Sequence, residues 1–147
     1  MSRRIRRDTA HEEFIARLTS GDNPIFKEKW QPLMLAASIG LKAGERRPLE
    51  NFDSGKAMPP SYFGPGLNGF LYLMGVAGSE GSDCLHSTEE EREKLVTAFE
   101  EHANAGLWKL RERLDEKAEV LEELTTFLIE SSAPALPAAD LGNLSQI

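Results

Sequence analysis

The chain contains 147 residues, of which 40% are hydrophobic, and it carries a formal net charge of −7. This length and composition predict one globular domain with its own core and exclude a disulfide-rich fold, because Cys84 is the single cysteine. No apolar run approaches the ~20 residues of a membrane span, and no apolar stretch follows the basic start at residues 3–7. We therefore expect a cytoplasmic protein.

Two helices are expected in the N-terminal third. The first begins at Thr9, which forms a capping box with Glu12. Pro32 interrupts the next apolar pattern, so we expect a short turn and then a second helix from about Gln31 to Lys42. Gly44 is the natural end of that helix.

A long irregular loop is predicted over residues 45–66, where prolines and glycines recur. A short strand around Arg47–Phe52 is an alternative for part of it. Three aromatic residues are expected to anchor this loop to the core, namely Phe52, Tyr62 and Phe63. A nearly all-apolar third helix, about Leu67–Gly78, should then lie at the centre of the fold.

The C-terminal half predicts a helix hairpin. A capping box, Ser87 with Glu90 or Thr88 with Glu91, begins a fourth helix that Gly106 ends or bends. A fifth helix over about Leu107–Ser131 carries leucines at heptad spacing and should pack antiparallel to the fourth. The result is an all-α fold of about five helices with a long C-terminal helix hairpin. It forms a single helical domain over 1–130, followed by a flexible Ala/Pro-rich tail over 131–147.

The sequence contains no recognisable catalytic or metal-binding motif. Cys84 and His86 are a close pair of soft ligands, but no third ligand lies near them, and zinc needs at least three protein ligands. The glycine clusters do not match a phosphate-binding loop, and no nucleophile elbow is present. We therefore expect neither an enzyme nor a metal or cofactor site.

Two groups of arginines are the candidate contact residues. Residues 1–79 hold 11 Lys/Arg against 8 Asp/Glu, whereas residues 80–130 hold 6 against 15. The candidates within the basic part are Arg3, Arg4, Arg6, Arg7, Arg46 and Arg47. Guanidinium groups fit phosphate oxygens and carboxylates alike, so nucleic acid and an acidic protein surface are both candidate ligands of these arginines. The alternative is that the arginines have no ligand and are simply solvated.

Two stretches of the sequence resemble a small bacterial family. One runs from RRIRR and His11-Glu-Glu-Phe14 to Leu35–Leu49, including Gly40, Gly44 and Pro48, and the other is FEEHANAGL at 99–107, including Gly106. Both are similar to the dnd system-associated protein four family, encoded beside DNA phosphorothioation (Dnd) genes. The resemblance covers residues 3 to about 130 and implies a setting in anti-phage defence. It brings no catalytic residues with it.

Three functional hypotheses follow. The first is a non-enzymatic accessory or adaptor subunit that binds larger proteins of the same defence operon. The second is a direct DNA-binding module that uses the arginine groups, and the third is an acidic mimic of DNA. The heptad leucines and the apolar third helix together exceed what one small domain covers, so we expect a partner protein or a homodimer.

Overall fold

The computed structural model describes residues 4–22, 24–77, 88–114 and 119–132. Five α-helices lie in this part of the chain, at the bounds α1 Glu12–Thr19, α2 Trp30–Ala43, α3 Leu67–Ala77, α4 Glu89–Leu114 and α5 Val120–Ser132. The all-α prediction is confirmed. No described helix is long and apolar enough to cross a membrane. The prediction of a flexible tail falls on residues 133–147, outside the described residues, apart from Ser131 and Ser132, which end α5.

The chain divides into two compact units, Met1–Lys109 and Leu110–Ile147. The first contains α1 to α3 and most of α4. The second contains the last turn of α4 and α5, in which Arg113 pairs with Glu123 and Glu130 and lies 5.7 Å from the Phe127 ring centroid. A single domain over 1–130 stays a prediction.

The N-terminal arm, residues 4–8, is extended and pairs with the loop that follows α2. Ile5 forms an antiparallel bridge with Met58 through two backbone hydrogen bonds of 2.8 and 2.9 Å, and Asp8 forms another with Phe52. Asp8, rather than the predicted Thr9, caps the first helical turn by accepting a hydrogen bond from the Ala10 N–H. The Asp8 carboxylate satisfies an N–H group that has no helical partner, so the predicted capping box of Thr9 with Glu12 is wrong.

The second helix begins and ends close to its predicted bounds. Because α2 starts at Trp30, Pro32 lies in the first turn, where its missing N–H breaks no helical hydrogen bond. Gly44 ends the helix in the left-handed region, at φ 69°, while the Glu45 N–H donates to the Gly40 carbonyl. This is the glycine-terminated helix end that the sequence predicted.

The loop over 45–66 is irregular, as predicted, and contains two short 3₁₀ turns, Ser54–Lys56 and Pro60–Phe63. Among its aromatic residues only Phe63 is buried, so the predicted anchoring by Phe52 and Tyr62 is wrong. The strand suggested around Arg47–Phe52 is reduced to the isolated bridge at Phe52.

The middle of α4 is the most buried stretch of the described chain, so the prediction that α3 lies at the centre of the fold is wrong. Residues 98–107 are all buried except the half-buried Glu101, whereas α3 exposes Leu73 and Val76. The Thr88 hydroxyl accepts from the Glu91 N–H at 3.1 Å, which confirms the second of the two suggested caps. The other cap, at Ser87, lies outside the described residues.

The predicted break at Gly106 is wrong, because α4 continues through this residue. A Cβ atom on Gly106 would lie 1.8 Å from the Ala36 carbonyl oxygen, and one on Gly40 would lie 2.1 Å from the His102 carbonyl oxygen. The two glycines therefore let the backbones of α2 and α4 approach each other at two points of one crossing. Gly106 serves packing between α2 and α4 and does not form the turn that the sequence predicted there.

Candidate functional site

The centre of α4 binds both of the chain segments that carry the predicted arginines. The buried Glu100 carboxylate accepts from the Arg6 backbone N–H at 2.7 Å and from its guanidinium at 3.3 Å. The next residue, Glu101, accepts from Arg46 at 2.9 and 3.0 Å. Consecutive carboxylates on one helix thus hold one arginine from each predicted group.

Two histidines and one asparagine complete this buried polar cluster. Asn104 donates through Nδ2 to the carbonyls of Arg47 and Pro48, at 3.0 and 3.2 Å. Its Oδ1 therefore faces His11 Nε2 at 2.7 Å, and Nε2 must carry the proton that is donated. His102 Nδ1 lies 2.7 Å from the Glu45 carbonyl and must likewise be the protonated nitrogen.

Trp108 extends the cluster by one more turn of α4. Its ring meets the His11 ring edge-on, with centroids 4.7 Å apart, and Arg47 Cζ lies 4.5 Å from the Trp108 centroid. A guanidinium at this distance gains a cation–π attraction. Pro48, predicted as a structural position, is fixed through its carbonyl to Asn104.

The other side of the N-terminal arm is held by α1 and the 3₁₀ turn at Ser54–Lys56. Arg7 is buried and donates to Glu12 at 2.6 and 3.2 Å and to the Lys56 carbonyl at 2.9 Å. Burial alone would raise the pKa of Asp8, but backbone hydrogen bonds from Ala10, Glu50 and Asn51 outweigh it and hold the pKa of Asp8 below its ordinary value.

A basic cleft opens beside this arm. It has a volume of about 820 Å³ and lies between the α1–α2 connection and the loop residues 55–62. Five of its lining side chains are cationic, namely Arg4, Arg7, Lys27, Lys29 and Lys56. The acidic member of the lining is Glu28, and the aromatic members are Trp30 and Tyr62.

The predicted arginines thus fall into two places. Arg4 and Arg7 line the cleft, whereas Arg46 and Arg47 lie against Glu101 and Trp108 of α4. Arg6 is bound to Glu100, and Arg3 lies outside the described residues. Contact of any of the six with DNA or a partner stays a prediction.

Several residues that build these sites were not singled out from the sequence. Polar residues inside a helix look alike in sequence whether they are buried or solvated, so the local pattern did not mark Glu100 and Asn104 as buried, although both lie in the stretch 99–107 that carries the family resemblance. Lys27 and Lys29 lie far from Lys56 in the sequence, and only the fold brings them to the same cleft. The spacing Lys27-Glu-Lys29-Trp30 was the available signal, because it places cations beside an aromatic ring.

The described residues offer no cluster of metal ligands. No group of three or more His, Cys, Asp or Glu side chains there could hold a metal ion. Cys84 and His86, the pair weighed from the sequence, lie outside these residues.

Comparison with known proteins identifies the family. A family model described as DNA sulphur modification system-associated protein 4 matches residues 4–146, and the chain belongs to this family. No curated protein and no solved structure matches the chain.

Proposed function

Because the chain belongs to a family associated with DNA sulphur modification systems, we propose that it is a non-enzymatic accessory subunit that binds a larger protein of the same system. The docking surface is the outer face of α5, and its partner presents a complementary apolar groove. The setting is the defence role that the sequence resemblance implies.

The observation that carries this proposal is the orientation of α5. Arg113 binds one face of the helix, through Glu123, Phe127 and Glu130. At about 100° per residue, the opposite face carries Leu121, Leu128 and Ile129. Leu121 is 61% exposed and Ile129 is 63% exposed. This helix thus directs its charged face to Arg113 and buries Leu124, but it exposes three other apolar residues, Leu121, Leu128 and Ile129.

Such an arrangement is unfavourable for an isolated protein, because exposed leucine and isoleucine side chains gain by leaving water. Amphipathic helices with anchors at i, i+7 and i+8 bind apolar grooves on partner proteins. The residues Leu121, Leu128 and Ile129 have this spacing. In the buried cluster on α4, by contrast, His102 and Asn104 bind carbonyls of the loop after α2, and His11 binds the Asn104 side chain, which favours structural rather than catalytic roles.

The test is co-purification of the tagged chain with the products of its neighbouring genes. We expect one of them to be retained, and the double variant Leu121→Glu/Ile129→Glu to weaken its binding more than about tenfold, since buried anchor residues dominate interface energies. Leu73→Glu/Val76→Glu is the matched control, because it also adds two carboxylates at exposed apolar residues, here on α3.

Sedimentation of the isolated chain completes this experiment. A dimer dissociated by Leu121→Glu/Ile129→Glu would assign the α5 face to a second copy and overturn the partner proposal. Retention of a neighbour by both Leu121→Glu/Ile129→Glu and the control would place the docking surface elsewhere and also overturn it.

A further inference from the structure

We propose that the basic cleft binds a phosphorylated nucleoside unit, with phosphate at the lysines and the base at the exposed tyrosine, and that its source is a single strand of DNA. The proposal rests on residues 4–62 alone and is independent of the docking face on α5.

The charge of the cleft is the first argument. Five cations face one carboxylate in the lining. The guanidinium of Arg7 is compensated by Glu12, and Lys56 Nζ lies 3.7 Å from the same carboxylate. Within the described part of the chain, the ammonium groups of Lys27 and Lys29 have no carboxylate within salt-bridge distance. Two lysines in one cleft therefore lack the compensation that the arginines of the α4 cluster have.

The position of these lysines at the N-terminus of α2 is the second argument: Lys27 lies two residues before the N-cap residue Lys29. Lys29 is the N-cap residue of α2, its side chain makes no capping hydrogen bond, and the first turn contains no acidic residue. The N-terminus of a helix carries a partial positive charge that favours anions and disfavours cations. Two lysines placed there act against the stability of the helix, and a bound anion would relieve that cost. A residue that opposes the charge preference of its helix end, with no neighbouring opposite charge to offset the cost, is typical of a functional position.

The aromatic residues of the cleft indicate which class of anion it binds. Tyr62 lines the cleft and is 61% exposed. Trp30 also lines the cleft, and its ring packs against the Phe63 ring with the centroids 6.2 Å apart. Proteins that bind single-stranded nucleic acid combine a basic groove with aromatic side chains on which bases stack. An acidic peptide would use the lysines but would leave the exposed tyrosine without a role.

The size and layout of the cleft favour a strand over a single phosphate. A volume of about 820 Å³ lies in the range of roughly 300–1,000 Å³ that holds organic ligands. The cations come from two segments, the arm with loop 55–62 and the α1–α2 connection, so more than one phosphate can be contacted. The net charge of −7 does not oppose this, because charges beyond about 8 Å are largely screened at physiological salt.

The experiment is fluorescence anisotropy of a labelled oligo-dT of about 15 nucleotides, titrated with the full-length protein over a range of salt concentrations. We expect Lys27→Ala/Lys29→Ala to weaken binding and to flatten the plot of log affinity against log salt by about 1.4, since each phosphate contact on a single strand contributes about 0.7. Lys42→Ala/Lys94→Ala is the matched control, because it removes the same charge from exposed positions outside the cleft and should leave the slope unchanged.

Tyr62→Ala separates stacking from charge. It should weaken oligo-dT binding by about 5- to 150-fold, the range expected for loss of one stacked base, with no change in the salt slope. Competition with dTMP distinguishes the sources of the ligand. Displacement by dTMP at equal nucleotide concentration would assign the cleft to a free nucleotide and overturn the strand as its source, and displacement only at large excess would support the strand.

Three further results would overturn the proposal: no binding of oligo-dT or dTMP by the unaltered protein, equal effects of the cleft and control variants, or competition by polyglutamate as effective as that by oligo-dT. The last would assign the cleft to an acidic protein segment. Leu121→Glu/Ile129→Glu should leave oligo-dT binding intact, so a failed docking experiment and a failed cleft experiment are distinguishable.

Discussion

The α4 cluster and the basic cleft use the same residue types for different ends. In the α4 cluster, Arg6 and Arg46 are each bound to a carboxylate within 3.3 Å. In the cleft, Lys27 and Lys29 line an open space and have no such carboxylate among the described residues. A cation whose charge is already compensated holds the fold together, whereas one without compensation is available to a ligand. The pairing of basic residues therefore indicates function better than their number does.

The largest effect should come from Asn104→Ala in the α4 cluster. The substitution removes the acceptor of the buried His11 Nε2–H and the donor to two backbone carbonyls. Buried groups left without partners cost about 1–3 kcal/mol each, so we expect the free energy of unfolding to fall by about 3 kcal/mol in urea titrations. Asn68→Ala, at an exposed asparagine of α3, should change it by less than about 0.5 kcal/mol. Equal effects of the two would mean that the cluster is not a stabilising feature.

Gly106→Ala tests the close crossing of α2 and α4, because the crossing reverses the sign of the expected change in the free energy of unfolding. Alanine in place of a glycine inside an ordinary helix stabilises by about 1 kcal/mol. Here the new Cβ would lie 1.8 Å from the Ala36 carbonyl oxygen, so we expect a destabilisation of about 1–3 kcal/mol by thermal or urea unfolding. A more stable variant would contradict the close crossing of α2 and α4.

Gly44 and Gly106 also explain how far the sequence could predict this fold. The role of Gly44 is local, since a left-handed residue ends a helix whatever surrounds it, and the end of α2 was predicted correctly. The role of Gly106 depends on Ala36, seventy positions away, and no local pattern distinguishes it from a helix stop.

The candidate sites were hidden from the sequence for the same reason. Arg6 and Glu100 are 94 positions apart, so their pairing could not be inferred from either segment. Arg4 and Arg7 were singled out from the sequence, but the cleft they line also needs the Ile5–Met58 bridge to bring Lys56 beside them. The sequence therefore showed which basic residues are present, but it could not show which of them are paired with a carboxylate in the fold.

Asp8→Asn tests the link between the arm and the loop through its pH dependence. Because the folded-state pKa of Asp8 is lowered, its ionised form stabilises the fold above the ordinary pKa of 3.8, and this contribution is lost as the pH falls through the lowered value. Because asparagine keeps the capping acceptor and removes only the charge, we expect Asp8→Asn to lower the free energy of unfolding at pH 7 by about 0.3–1 kcal/mol, and the difference to shrink towards pH 3. A difference that does not vary with pH would contradict the role of the carboxylate charge.

The smallest effects are expected in the cleft, where the sign should be opposite to that in the α4 cluster. Lys29 lies at the positive end of the α2 dipole and Lys42 in the last turn at its negative end. Lys29→Ala should therefore raise the free energy of unfolding by about 0.3 kcal/mol, and Lys42→Ala should lower it by a similar amount. Both changes should diminish in high salt, since exposed charges are screened. Measured by urea unfolding at low and high ionic strength, a loss of stability in Lys29→Ala would show that Lys29 is compensated within the fold. A gain, together with weaker binding of oligo-dT, would show that this lysine is kept at the cleft at the expense of stability.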